Sequence, residues 1–131
     1  MQGTMHGVKT ILLVEDDASN AEMLELLIHT ETPYHVWAFQ SAADVLERLD
    51  EVKALQPALF LLDYHLSSMT ALDLYDRLHN TDGLEQIPAM VITASLVNEL
   101  EPEFMRRNIP LFYKPFELDD FLSSLSRCLQ D

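Results

Sequence analysis

The sequence predicts an α/β fold of five βα units around one parallel sheet, on three observations. Short aliphatic and β-branched runs recur along the chain and alternate with segments whose apolar residues fall three and four apart. The runs are apolar at consecutive positions, the pattern of strands covered on both faces rather than one. Four of the runs end directly in an acidic, hydroxyl or lysine residue. A length of 131 residues suits one domain with one core.

The elements follow in order. Residues 9–14 (KTILLV) read as a buried strand ending at an acidic turn. Residues 19–30 read as a helix, with Ser19 and Glu22 in the spacing of a capping box and Leu24, Leu27 and Ile28 on one face. Residues 35–39 (HVWAF) form the second strand. Residues 41–55 form a second helix, with Ala42, Val45, Leu46 and Leu49 at helical spacing. Residues 58–62 (ALFLL) are the third strand, and 70–80 the third helix, closed by the loop residues Thr81, Asp82 and Gly83. Residues 89–93 (AMVIT) are the fourth strand. A fourth helix ends near Arg107, with Asn108 as a left-handed cap. Pro102 is tolerated only in a first turn, so this helix starts late and runs short, leaving 96–100 as loop or broken turn. Residues 111–113 (LFY) are the fifth strand and 117–129 the last helix. This is a flavodoxin-like (βα)₅ arrangement with helices on both faces of a sheet of order 2-1-3-4-5. Residues 9–131 form the domain and 1–8 a flexible leader.

Composition narrows the function. A net charge of −14, from 22 acidic and 8 basic residues, argues against direct nucleic-acid binding, which needs a basic face. It suits a divalent cation or a basic protein surface as partner. No apolar run approaches the roughly 20 residues that span a bilayer, and no secretory signal precedes the first strand, so a cytoplasmic protein without membrane insertion is expected. The lone Cys128 forms no intrachain disulfide and no metal-ligand cluster, and reads as a buried thiol.

In sheets of this order, ligands bind at the carboxyl ends of the strands, at the switch point between the first and third. Those ends carry Glu15-Asp16-Asp17, Asp63, Thr93 and Lys114-Pro115. Carboxylates gathered so closely repel one another, and one stays protonated unless a cation joins them. Mg²⁺ takes oxygen ligands and keeps some waters, so two or three carboxylates and a carbonyl suit it. Lys114 offsets charge in the cluster and can pair with a phosphoryl oxygen, and Thr93 offers a hydroxyl donor.

The segments ILLVEDD, LFLLDYHL, VITAS and YKPF resemble, in order and spacing, the four signature segments of the receiver domain of two-component response regulators. Each alone is weak; all four at four strand ends are specific, and the similarity covers residues 9–130. The resemblance implies a phosphoacceptor signalling domain rather than an enzyme acting on an outside substrate. Asp63 would take a phosphoryl group from a phosphohistidine on a histidine kinase or histidine phosphotransfer protein. Glu15, Asp16, Asp63 and the backbone carbonyl of His65 would hold Mg²⁺. Thr93 and Lys114 would meet the phosphoryl oxygens. His65 and Ser95 occupy the positions that tune hydrolysis, and Ala94 is small enough to leave the phosphoaspartate open. His65 also has a plainer reading, as an exposed loop residue supplying its carbonyl alone. Asp17 reads as first-turn helix chemistry. The face of the fourth helix, fifth strand and fifth helix would switch, and could serve a homodimer.

Four positions depart from the family pattern. Leu111 stands where Tyr or Phe is usual; Phe112 and Tyr113 flank it but read as core. Ser67 and Ala71 replace a usual Pro and Gly after Asp63, and Ala accepts a left-handed backbone poorly, which suggests an altered loop. Pro102 falls within the fourth helix. Glu15 takes a place where Asp is also common. Two other functions remain open at this point: a docking module that is never phosphorylated, and a small Mg²⁺-dependent phosphatase. The second would call for an acid/base Asp where His65 stands.

Overall fold

A computed structural model describes residues 8–129. The leader assigned to 1–8 therefore lies outside the described residues, except for the exposed Val8. Five strands, β1 (Thr10–Val14), β2 (His35–Phe39), β3 (Leu59–Asp63), β4 (Ala89–Thr93) and β5 (Leu111–Tyr113), pair in parallel in the order β2-β1-β3-β4-β5. The consecutive apolar runs have the predicted cause, because the sheet is covered on both sides. One face buries Ile11, Leu13, Leu61 and Ile92 against α1 (Ala18–Glu31) and α6 (Leu118–Leu129). The other buries Leu12, Val14, Leu62 and Val91 against α2 (Ala42–Glu47), α3 (Leu49–Leu55), α4 (Ala71–His79) and α5 (Glu101–Arg106). The central strands β3 and β4 are buried at all positions, whereas the edge strands β2 and β5 are partly exposed.

Three local findings modify the sequence reading. The helix expected over 41–55 is broken at Arg48 (φ −117°, ψ 31°), so the later helices are numbered one higher. The Arg48 N–H donates to Val45 O at 3.0 Å, closing a tight turn in place of the next α-helical bond. Val45 and Val52 stay buried on either side, seven residues apart, which keeps the apolar periodicity in phase through the break. The cap of α1 is Asp17, not Ser19: Asp17 Oδ1 accepts from Ser19 N at 2.8 Å and Asn20 N at 3.2 Å. A carboxylate there satisfies two free helix donors at the positive end of the dipole.

The concern about Ala71 disappears. It is the first residue of α4, fully buried, and donates its N–H to Tyr64 O at 2.9 Å, while Thr70 and Asp73 form a capping box. Among the described residues only Gln56, Gly83 and Asn108 have left-handed backbone, Asn108 as expected of a cap. The short, late fourth helix is found as α5, with Pro102 in its first turn and a 3₁₀ turn (Asn98–Leu100) before it.

Candidate functional site

Register brings the chemistry together. β1 and β3 pair in step, Val14 with Leu62, so the residues that follow, Glu15 and Asp63, emerge side by side at the carboxyl edge. Asp63 pairs with Ile92, and Thr93 with Tyr113. Lys114 N donates to Thr93 O at 2.8 Å and carries the ladder one residue further. Lys114 is joined to Pro115 by a cis peptide bond.

Ligand oxygens of Glu15, Asp16 and Asp63 all lie within 4.8 Å of one another. Glu15 is 1% exposed and Asp63 8%, whereas Asp16 is exposed to solvent. Glu15 Oε2 accepts from Asp17 N at 3.2 Å, but Oε1 is buried and accepts no hydrogen bond among the described residues. Lys114 Nζ stands 3.6 Å from that Glu15 oxygen and 3.8 Å from Asp63 Oδ1, close enough for charge pairing but too long for a hydrogen bond. Burial, followed by repulsion from Asp63, pushes the Glu15 carboxyl above the ordinary range. Burial likewise raises Asp63, although the Lys114 ammonium pulls it back. One cation therefore serves two buried anions incompletely.

A hard divalent cation fits this donor set. The site offers carboxylate oxygens close together, one of them buried without a hydrogen bond, and Asp16 at its edge is exposed to water. His65 follows on an exposed loop, its ring edge-on to Tyr64 at 4.8 Å, and bridges to Thr70. Thr93 is fully buried, and its hydroxyl faces its own loop: Oγ1 donates to Ser95 O at 3.2 Å and accepts from Ser95 N at 3.1 Å. Ala94 and Ser95 are exposed beside it. Leu111 lies two residues before Tyr113 on the same side of β5, and Phe112 packs on the opposite face, as strand alternation requires. Cys128 is half-buried on α6, where burial raises its thiol pKa.

Two features were not visible in the sequence. Asp17 braces the site through its backbone N–H on Glu15 while its side chain caps α1. Tyr113, expected to be plain core, sends its hydroxyl out of the sheet to Glu101 Oε2 at 2.5 Å. Beside Lys114, an apolar groove of about 510 Å³ runs between α1 and the start of α6, lined by Met23, Leu24, Leu27, Pro115, Phe116 and Leu118 among others.

Residues 11–126 match the family model described as the response regulator receiver domain. This chain belongs to that family. Among relatives, it is 25% identical over 124 residues to the polar-differentiation response regulator DivK of Brucella anthropi, covering 94% of this chain and 98% of DivK. It is 22% identical over 123 residues to hybrid signal transduction histidine kinase D of Dictyostelium discoideum, covering 93% of this chain but spanning only 8% of that kinase. In fold it resembles the receiver domain of a Pseudomonas aeruginosa sensor histidine kinase, solved with a magnesium ion in its active-site cleft: TM-score 0.79, 17% identity, 95% of this chain and all of the other covered. Receiver domains are signalling modules of two-component systems rather than conventional enzymes. No helix among the described residues is long and apolar enough to cross a membrane.

Proposed function

We propose that this receiver takes a phosphoryl group onto Asp63 from a phosphohistidine of a histidine kinase or histidine phosphotransfer protein, in a Mg²⁺-dependent reaction. The observation that carries this reading is the pair of buried carboxylates, Glu15 and Asp63, sharing one lysine, with a buried Glu15 oxygen that accepts no hydrogen bond and has only the Lys114 ammonium 3.6 Å away. Glu15, Asp16 and Asp63, with the backbone carbonyl of His65, are the residues that would hold the cation. When bound, the cation offsets charge on the phosphoryl oxygens and permits both buried carboxylates to remain ionised.

The chain's own residues do the rest. A carboxylate oxygen of Asp63 attacks phosphorus, the P–N bond breaks, and the imidazole leaves with the bonding pair, giving an acyl phosphate on Asp63. Lys114, already within 4 Å of both carboxylates, pairs with a phosphoryl oxygen as negative charge arrives. The Thr93 hydroxyl, bonded to the backbone of Ser95 in the free domain, turns from it to donate to a second oxygen. His65 and Ser95 border a shallow hollow next to the site and set water access to the acyl phosphate. The apolar groove beside Lys114 gives the phosphodonor a seat, and the acidic surface favours a donor with basic groups over nucleic acid. The output face is α5, β5 and α6, where Met105 is 76% exposed, and a homodimer would form there.

The test is incubation with a small acyl-phosphate donor, with and without Mg²⁺, followed by intact mass on wild type and Asp63→Asn. Wild type should gain one phosphoryl group only with Mg²⁺, and the variant none. A folded wild type that gains nothing, while a control receiver is labelled, would instead identify a docking module that works without phosphorylation.

A further inference from the structure

Tyr113 ends β5 directly opposite Thr93, and its ring packs with the core beneath α2–α5. Its hydroxyl donates to Glu101 Oε2 at 2.5 Å and stands 3.4 Å from Asn98 Oδ1. Both acceptors lie where the β4–α5 connection becomes helix: Asn98 opens the 3₁₀ turn and Glu101 opens α5. A hydroxyl on a carboxylate at this distance belongs to the stronger, charge-assisted class.

The segment 94–100 has few other ties to the sheet. Ala94, Ser95, Leu96, Asn98 and Glu99 are exposed, whereas Val97 is buried and the half-buried Leu100 packs against the core. Its near end is fixed by the two bonds between Thr93 Oγ1 and the backbone of Ser95. Two hydroxyls on paired strand ends, Thr93 and Tyr113, thus hold the two ends of one connecting segment. The far end of α5 is fixed separately. Arg107 Nε and Nη2 grip both carboxylate oxygens of Asp76 on α4 at 2.9 Å, and Nη1 bonds to Glu103 O and Oε1 at 3.0 Å.

We propose that the Tyr113–Glu101 hydrogen bond is a latch that holds segment 94–100 and the first turn of α5 closed, with the Arg107–Asp76 pair as the pivot about which α5 moves on release. The trigger rests on the phosphoacceptor reading. A Thr93 hydroxyl that turns to a phosphoryl oxygen gives up both bonds to Ser95, leaving the Tyr113 latch and the packing of Val97 and Leu100 as ties of this segment to the sheet. Leu111 packs on the same side of β5 but has no polar atom with which to make such a bond.

Amide hydrogen exchange tests this on the full chain without any phosphodonor, in wild type, Tyr113→Phe, Glu101→Ala and the double variant. Each single variant should speed exchange of the Leu100 amide, which bonds to Val97 O, and of the α5 amides by on the order of tenfold. Ile109, whose amide bonds to Phe104 O, and the amides of α4 should keep wild-type rates. The double variant should match Tyr113→Phe, because the hydroxyl lost there is the one that Glu101 accepts from. Wild-type rates in the single variants, equal acceleration across α4 and Ile109, or effects that multiply in the double variant would each overturn the latch. A second arm phosphorylates wild type with the small acyl phosphate. Faster exchange at Leu100 and α5 supports the trigger, and unchanged rates in a protein of confirmed phosphorylated mass overturn it. Absence of any mass gain defeats the phosphoacceptor reading, whereas the first arm decides the latch without it.

Discussion

Glu15 keeps a carboxylate at 1% exposure beside a second buried carboxylate, with one oxygen lacking a hydrogen bond and the Lys114 ammonium 3.6 Å away. Such a group destabilises the fold in the absence of metal, because burial and repulsion both disfavour its charge. The substitution Glu15→Gln removes that charge while keeping the shape, and a glutamine amide can donate to neighbouring carboxylates. It should raise stability in EDTA by about 1 kcal/mol, read as a shift in the urea midpoint at unchanged slope. The same variant should bind Mg²⁺ at least about tenfold more weakly, since one of few carboxylate ligands is lost. A loss of stability in EDTA would mean that Lys114 satisfies Glu15 far better than the distances suggest. At this scale the sequence was legible where chemistry follows a strand: Glu15, Asp16, Asp63, Thr93 and Lys114 converge because parallel strands in register bring their ends together. It was not legible where a polar group's partner is set by packing. Nothing in the string shows that the Tyr113 hydroxyl reaches Glu101, and Asp17 is legible as first-turn helix chemistry, one step short of the α1 cap that it, rather than Ser19, provides.

Among the elements, strand runs and turn residues spoke clearly because each reports a local backbone requirement. Pro102 foretold a short α5, and Asn108 its left-handed cap, since both act through their own backbone. The break at Arg48 was hidden because Val45 and Val52 remain on one buried face on either side of it. Gly83 is a further backbone requirement, at φ 95°, with its carbonyl accepting from Gln56 Nε2 at 2.9 Å. A Cβ there meets only Gln56 Nε2 at 3.7 Å, so space is not the obstacle and conformation is. Gly83→Ala should therefore cost about 1 kcal/mol in denaturant unfolding, and Gly83→Asn less. The clamp between α4 and α5 gives a pH prediction. The Arg107 hydrogen bonds hold the Asp76 carboxyl below its ordinary value. A lowered folded-state value means that the unfolded chain binds the proton more readily, so the stabilisation is present above the unfolded carboxylate range. It is lost as pH falls through the folded value. Asp76→Asn should lower stability at neutral pH and flatten the acid limb of the pH–stability curve. An acid limb identical to wild type would show that the exposed part of this pair is screened by solvent.

The whole molecule carries a charge of −14 on a domain whose ligand edge concentrates three acidic groups. Two electrostatic effects of different range are superposed, and cations can separate them. Diffuse repulsion among surface carboxylates is long-ranged and screened by any salt, with a Debye length of about 10 Å at 0.1 M. A metal site at the Glu15, Asp16 and Asp63 oxygens would instead be short-ranged and require a divalent ion. In EDTA, the melting temperature should climb gradually with sodium chloride as repulsion is screened. Adding Mg²⁺ at matched ionic strength should raise it further and saturably, because an ion that binds only the folded state stabilises by RT ln(1 + [L]/Kd), about 1.4 kcal/mol at tenfold over Kd. Asp63→Asn should retain the sodium chloride response and lose most of the Mg²⁺ increment, since the diffuse term barely changes when one charge among 22 acidic residues is removed. If matched sodium chloride reproduces the whole Mg²⁺ effect in wild type, the three carboxylates form no metal site, and the phosphoacceptor chemistry would have to run with Lys114 as its only counter-charge.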